Sequence, residues 1–177
     1  RVVDVPVIAA INGLCVGGAL NFLADADIAI AAEEAWFSDP HVTQGQVSGP
    51  EPLMLAAKAN PRAVVLLSLT GNRYRMPASV ALQAGLVNEV VPGDQVLNRA
   101  KEIAAMIAAQ SPTAVRKSLA LMRRRIREPL MPHLERAWQA VAGQWPHPDS
   151  MEGPRAFLEK REPNWADPRN ALADLPD

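Results

Sequence analysis

Ile11-Asn12-Gly13-Leu14-Cys15-Val16-Gly17-Gly18-Ala19-Leu20 is the most informative stretch of this chain. It follows an apolar run, Val7 to Ile11, and leads into a small-residue segment from Ala19 to Ala26. The pattern predicts a strand, a glycine-punctuated turn and the N-terminus of a helix. Glycines leave backbone N–H groups uncovered and let a ligand come close. The first N–H groups of a helix have no internal partner, and the helix dipole favours negative charge there. Such a place can hold an anion, or an oxygen that becomes one during reaction. The glycine spacing is neither G-x-G-x-x-G nor that of a Walker loop. For these residues alone, a tight strand-to-helix turn without a ligand is the simpler reading.

Outward from this turn, Asp27 to Ala31 reads as a second short buried strand and Trp36 to Ser38 as a third. Gly45 to Pro52 reads as loop. Leu53 to Lys58 and Arg62 to Thr70 read as helices separated by Asn60-Pro61. Pro77 to Gln83 reads as a short helix stopped at Gly85, and Leu86 to Val91 as a strand. Asp94 or its neighbour is expected to cap a helix reaching Ala109. Ser111-Pro112 then supplies an N-cap and a proline at the first helical position. Val115, Leu119, Met122 and Ile126 form one apolar stripe on that helix. Arg116, Lys117, Arg123, Arg124 and Arg127 occupy its other side. They read as a solvated face in preference to an RNA or phosphate site. Leu130, Leu134, Trp138, Val141 and Trp145 form a second stripe, and a last helix runs from Asp149 or Ser150 to Lys160.

The chain has 177 residues, enough for one domain or for a core with an appendage. A net charge of −1 gives no electrostatic case for nucleic acid or a membrane surface. No apolar run approaches the ~20 residues that span a bilayer. The single cysteine excludes an internal disulfide, fits a reducing compartment and supports a cytoplasmic location. Cys15 lies in the glycine turn with no histidine beside it, so it reads as a small buried packing residue in preference to a nucleophile. No His/Cys/Asp/Glu set has metal-site spacing.

Five segments, in order, resemble the enoyl-CoA hydratase/isomerase (crotonase) family. The first is Val7-Ile8-Ala9-Ala10-Ile11-Asn12-Gly13 with Gly17-Gly18 and Ala24-Asp25-Ala26-Asp27-Ile28-Ala29-Ile30-Ala31; the second is Ala35-Trp36-Phe37-Ser38-Asp39-Pro40. Leu69-Thr70-Gly71-Asn72-Arg73, Ala84-Gly85-Leu86-Val87-Asn88-Glu89-Val90-Val91-Pro92 and Glu152-Gly153-Pro154-Arg155-Ala156-Phe157-Leu158-Glu159-Lys160-Arg161 complete the set. The resemblance implies an α/β fold: part of a crotonase-like ββα spiral over residues 1–110, then an α-helical trimerisation region over 111–177. It implies an acyl-CoA thioester substrate, no cofactor beyond the coenzyme A carried by that substrate, and a homotrimer or dimer of trimers.

The resemblance covers the later part of the family. Members carry a first half that supplies several spiral strands, much of the CoA site and one of two oxyanion N–H groups, from an Ala-x-x-Gly-x-Asp-type segment. Arg1-Val2-Val3-Asp4 opens in mid-domain, so the expectation is a piece of a longer protein.

The family's shared step polarises a thioester carbonyl, whose oxygen gains charge as an enolate or tetrahedral species forms. By the glycine-turn match, the second oxyanion donor is the N–H of Gly18. The family's hydratases also carry two catalytic glutamates, which position a water and exchange protons. Here the matching positions hold Asn21 and His41. Asn21 can hold a water but cannot act as a base; His41 can act as acid or base near neutral pH. That puts two-glutamate hydration in question and leaves isomerase-like or hydrolase-like chemistry open, beside a non-catalytic acyl-CoA-binding or assembly subunit.

Three readings of His41 stand: sole proton shuttle, substrate hydrogen-bonder, or structural histidine beside Asp39. Asp39 and His41 could share a face and form a dyad, Asp39 orienting the imidazole, or Asp39 could be a plain turn residue. Some members carry an acid beyond the second glutamate; Glu51 lies near that position, offset by about two residues, and reads first as a helix start. The family's last helix sends an aromatic and a lysine to the CoA nucleotide, matching Phe157 and Lys160. The alternative is that Phe157 packs and Lys160 faces solvent.

Overall fold

The computed structural model describes residues 3–166. Two small sheets organise the N-terminal part. Strands β1 (Ile8–Ile11), β3 (Ile28–Ala32) and β6 (Glu89–Val91) form a parallel sheet in the order β1-β3-β6. Strands β2 (Leu14–Val16), β4 (Trp36–Ser38) and β5 (Met76–Pro77) form the other, β4 pairing parallel with β2 and antiparallel with β5. The chain crosses between sheets at Asn12-Gly13, and again between β3 and β4. The resulting α/β arrangement stacks the two sheets with helices between the crossings.

The glycine turn is thus two turns with a strand between them. The sequence reads Leu14-Cys15-Val16 as part of the turn; three residues are too few to show alternation until a partner strand lies beside them. With Trp36-Phe37-Ser38 opposite, the alternation is visible: Leu14 is exposed, Cys15 buried, Val16 half-buried. Burial pushes the Cys15 thiol up to about 11, which removes any nucleophilic use of it near neutral pH.

Helix α1 (Ala19–Asp25) follows the second turn and buries Leu20, Leu23 and Ala24. Helix α2 (Pro50–Ala56) begins three residues before the expected Leu53, because Pro50 suits the first helical turn. Helices α3 (Pro61–Leu69) and α4 (Ala78–Gln83) fall where the sequence placed them. β6 is shorter than the Leu86–Val91 segment. Leu86 and Val87 pack in the core, and Asn88 takes a strand's place by side chain: its Oδ1 accepts from Ala29 N at 2.8 Å while its own N donates to Ala29 O at 2.8 Å. The N-cap of helix α5 (Val96–Ala108) is Gln95, the neighbour of Asp94, and it makes no side-chain cap hydrogen bond; Asp94 itself sits inside the 3-10 turn Gly93–Gln95.

Helix α6 (Pro112–Arg127) starts on Ser111, whose hydroxyl accepts from Ala114 N at 3.4 Å. Its apolar stripe faces the core across a cavity of about 790 Å³ lined by Leu23, Leu55, Leu86 and Ile107 among others. Arg123 departs from the solvated face assigned to it: its guanidinium binds Asp27 at 2.7 and 2.9 Å. A sequence window holds no sign of a partner 96 residues away.

Among the described residues helix α7 (Met131–Gln144) has none buried; Leu134 and Val141 are half-covered, while Trp138 and Trp145 stay open. Helix α8 (Asp149–Glu159) folds back onto the 3-10 turn Val42–Gln44. Gly153 allows this approach: a Cβ there would meet the backbone carbon of Gln44 at 2.5 Å. Gln144 Nε2 also donates to Gly45 O at 2.9 Å, so the helical end braces the loop after β4. Among the described residues no helix is long and apolar enough to cross a membrane.

Candidate active site

The first part of the site is the turn between β2 and α1. Gly17 has φ +55, a left-handed conformation that favours glycine, and donates to Ser38 O at 3.1 Å. This ties the turn to the end of β4. Gly18 follows at φ −54, caps α1 and is exposed. Its carbonyl already accepts from Asn21 N at 3.2 Å, while its N–H has no acceptor among the described residues. That leaves an uncommitted backbone donor at the surface, next to the short helix.

The second part is the end of β4. Asp39 is fully buried. Its Oδ1 accepts the backbone N–H of His41 at 3.2 Å and lies 2.5 Å from His41 Nδ1; its Oδ2 accepts from Ser48 Oγ. The dyad therefore forms through an Asx-type turn after Pro40, and not through the i, i+2 alternation of a strand. A carboxylate can only accept, so Nδ1 carries the proton facing it and Nε2 is the nitrogen left for other chemistry. The imidazole is 29% exposed.

Burial pushes the Asp39 carboxyl up, but the hydrogen bonds from His41 and Ser48 and the imidazole's charge outweigh it and hold it below the usual carboxylate range. The Asp39 hydrogen bond raises the His41 pKa above its ordinary value; burial opposes this, and the negative charges of Asp39 and Glu51 add to it. His41 is thus held towards imidazolium.

The third part joins α1 to α2. Asn21 Nδ2 donates to Glu51 Oε1 at 3.0 Å. Asn21 is exposed; Glu51, in the first turn of α2, is 6% exposed. Glu51 both starts the helix and reaches the site, so the two readings of it coexist. Ser48 was not anticipated, and neither was the Asn21–Glu51 bond. Nothing local marks either, since the partners are 9 and 30 residues apart.

The structure groups Asp39, His41 and Ser48 in one hydrogen-bonded set and Asn21 with Glu51 in another, with Gly18 one turn before Asn21. Among the described residues neither Phe157 nor Lys160 has a side-chain hydrogen bond to either set. Phe157 is exposed near the end of α8, and Lys160 is its left-handed cap at φ +53, also exposed. Among the described residues no contact ties either to His41. Chemically, the grouped residues offer a free N–H donor, an imidazole with an oriented free nitrogen, and a nearly buried carboxylate.

The pattern of the enoyl-CoA hydratase/isomerase family matches residues 1–168. The chain is similar to the mevalonyl-coenzyme A hydratase of Aspergillus fumigatus, at 37% identity over 167 residues, covering 90% of this chain and 60% of that protein. It is similar to the carnitinyl-CoA dehydratase of Salmonella paratyphi A, at 33% identity, covering 92% of this chain and 63% of that one. Among solved structures, the carnitinyl-CoA hydratase of Mycobacterium avium superposes with a TM-score of 0.82 at 34% identity, covering 93% of this chain and 64% of that one. The enoyl-CoA hydratase/isomerase of Pseudoalteromonas atlantica T6c gives 0.85 at 29% identity, over 92% of this chain and 65% of that one. The chain thus spans less than two thirds of the length of each of these relatives.

Proposed function

The chain belongs to the enoyl-CoA hydratase/isomerase family, and from that premise we propose that it serves an enzyme that acts on an acyl-CoA thioester through an oxyanion-stabilised enolate. Gly18 N–H is one donor to the thioester oxygen as that oxygen gains charge. Removing one such donor typically costs ~3–4 kcal/mol of transition-state stabilisation. His41 moves the proton at the carbon next to the thioester, through Nε2, while Asp39 holds the ring and stabilises its charged form. Asn21 holds a water or a substrate hydroxyl with its free carbonyl oxygen.

The observation that carries the proposal is the 2.5 Å approach of His41 Nδ1 to buried Asp39, which orients an imidazole one loop away from the free Gly18 donor. Relatives named hydratase and dehydratase favour addition or removal of water over isomerisation or thioester hydrolysis. Phe157 and Lys160 are proposed contacts for the CoA nucleotide, a ring for stacking and a cation for phosphate. The open Trp138 and Trp145 of α7 support a subunit interface in a trimer.

The test is turnover of a panel of enoyl-CoA and 3-hydroxyacyl-CoA thioesters by the protein and by its His41→Ala form. The expected result is turnover by the parent and a loss of roughly 100-fold or more in the variant. Tight binding of CoA esters with no turnover by the parent would replace the enzyme by a non-catalytic acyl-CoA-binding subunit.

A further inference from the structure

We infer that Glu51 is a second acid/base group of this site, the carboxylate that takes the proton from water, working opposite His41; the inference rests on the reading of His41 given above. On α1, where the family's hydratases place a glutamate, this chain has Asn21. The Asn21 amide is hydrogen-bonded at 3.0 Å to a carboxylate delivered from another helix. In this chain the carboxylate beside that position comes from α2.

Three further features support this use. Glu51 is 6% exposed, and its one side-chain partner among the described residues is the neutral Asn21 amide. Among the described residues no cation is hydrogen-bonded to it. A nearly buried carboxylate with so little compensation needs further donors for its remaining lone pairs. Among the described residues no sealed side-chain oxygen lacks a partner, so Oε2, which has no protein donor there, is open to solvent. Water is the donor that can reach it. Finally, the charge of Glu51 is close enough to favour the His41 imidazolium. His41 is thereby biased towards the imidazolium that water addition requires of its acid.

The step balances as follows. Glu51 takes one proton of a water as its oxygen bonds to the β-carbon of an enoyl thioester. The carbon–carbon π pair moves to the α-carbon and the thioester oxygen, where Gly18 N–H meets the charge. His41 Nε2–H then gives its proton to the α-carbon. Glu51 ends protonated and His41 neutral, and solvent exchange restores both. Dehydration of the 3-hydroxyacyl thioester is the reverse. Asn21, one amide N–H of which is held by Glu51, keeps its carbonyl oxygen and its second N–H for the water or hydroxyl.

The test separates this inference from its basis. Exchange of the α-protons of a saturated acyl-CoA in deuterium oxide uses His41 and not Glu51; hydration of the matched enoyl-CoA uses both. Glu51→Gln is expected to lose hydration by roughly 100-fold or more and to keep exchange within about threefold, whereas His41→Ala loses both. Equal loss of both activities in folded Glu51→Gln, or loss of neither, overturns the inference. A parent that exchanges without hydrating overturns it while leaving His41 in place. A parent that does neither overturns the His41 reading and this one with it. Should Glu51→Gln fail to fold, the parent's pH profiles decide. The groups facing His41 are Asp39 on its own loop and Glu51 on α2, with Ser48 on Asp39. Hydration is expected to need Glu51 ionised and His41 protonated, giving a bell; exchange needs neutral His41 and gives a single rising limb. One shared limb for both reactions overturns the inference.

Discussion

His41 Nδ1 lies 2.5 Å from Asp39 Oδ1, and the same oxygen accepts the backbone N–H of His41 at 3.2 Å. One buried carboxylate oxygen thus fixes both the backbone and the ring of the same residue. The ring cannot adopt the other tautomer without placing a lone pair against an acceptor. Asp39→Asn removes that constraint, because the amide can donate to Nδ1. We expect Asp39→Asn to fold and to lose roughly 1,000- to 10,000-fold in kcat, the scale seen when an orienting carboxylate is neutralised. Steady-state kinetics with ¹⁵N spectra of the imidazole would check it; a normal tautomer with normal kcat would rule out this role for Asp39.

The same pair gives stability a pH window. His41 has a raised folded pKa, so its contribution is complete below the unfolded value, ~6.5, and is lost as pH rises through the folded one. Asp39 has a lowered folded pKa, so its contribution is complete above the unfolded value, ~3.9, and is lost as pH falls through the folded one. The pair therefore supports the fold most in weakly acidic solution and less on either side. Urea unfolding from about pH 3 to 9 should show a shallow maximum there, and Asp39→Asn should flatten both limbs.

Gly17 and Gly18 should respond differently to a methyl group. At Gly17, φ +55 strains any L residue, while a Cβ would only touch Pro40 at 3.4 Å. At Gly18, φ is −54 and no atom lies within 4 Å of a Cβ. Gly17→Ala should cost about 1–2 kcal/mol in stability, and Gly18→Ala should be neutral or slightly stabilising. Gly18→Pro keeps a compatible φ but deletes the N–H, and should lower kcat by roughly 100- to 1,000-fold. Melting temperatures separate the first effect and turnover numbers the second.

The parts of the fold that were legible in the sequence carry their own local marks. β1 and β3 are apolar runs with charged or glycine ends, and Ser111-Pro112 announces α6 by itself. β2 and β5 are not legible, because three and two residues become strands only through Trp36-Phe37-Ser38 beside them. The site divides in the same way. Gly18 stands out from its turn, and Asp39 and His41 are two apart, so a relationship between them can be anticipated even though its geometry is a turn and not a strand. Ser48 and the Asn21–Glu51 bond arise from how α1, α2 and the loop between β4 and α2 come together. A one-dimensional pattern cannot supply that, and Glu51 reads from the sequence as an ordinary helix start.

Arg123 offers a similar long-range contact whose worth can be measured. Its Nε and Nη2 hold the two oxygens of Asp27 at 2.9 and 2.7 Å, and it donates to the carbonyls of Val3 and Val5 at 2.5 and 3.1 Å. Asp27 Oδ2 also accepts from Val7 N at 2.8 Å. One guanidinium thus fastens α6 to the segment entering β1 and to the start of β3. Both side chains are largely covered, at 16% and 14% exposure. Burial pushes the Asp27 carboxyl up, but Arg123 and the Val7 N–H outweigh it and hold it low. Arg123→Ala leaves that carboxylate covered and without its cation, and should cost about 3–5 kcal/mol. Asp27→Ala should cost less, since a guanidinium facing two free carbonyls keeps acceptors. In the double variant the uncompensated charge is gone, so its loss should fall short of the sum of the two single losses by more than ~0.5 kcal/mol. Denaturant unfolding of the three variants gives the coupling directly, and strict additivity would show that the Arg123–Asp27 pair adds nothing to the hold on α6.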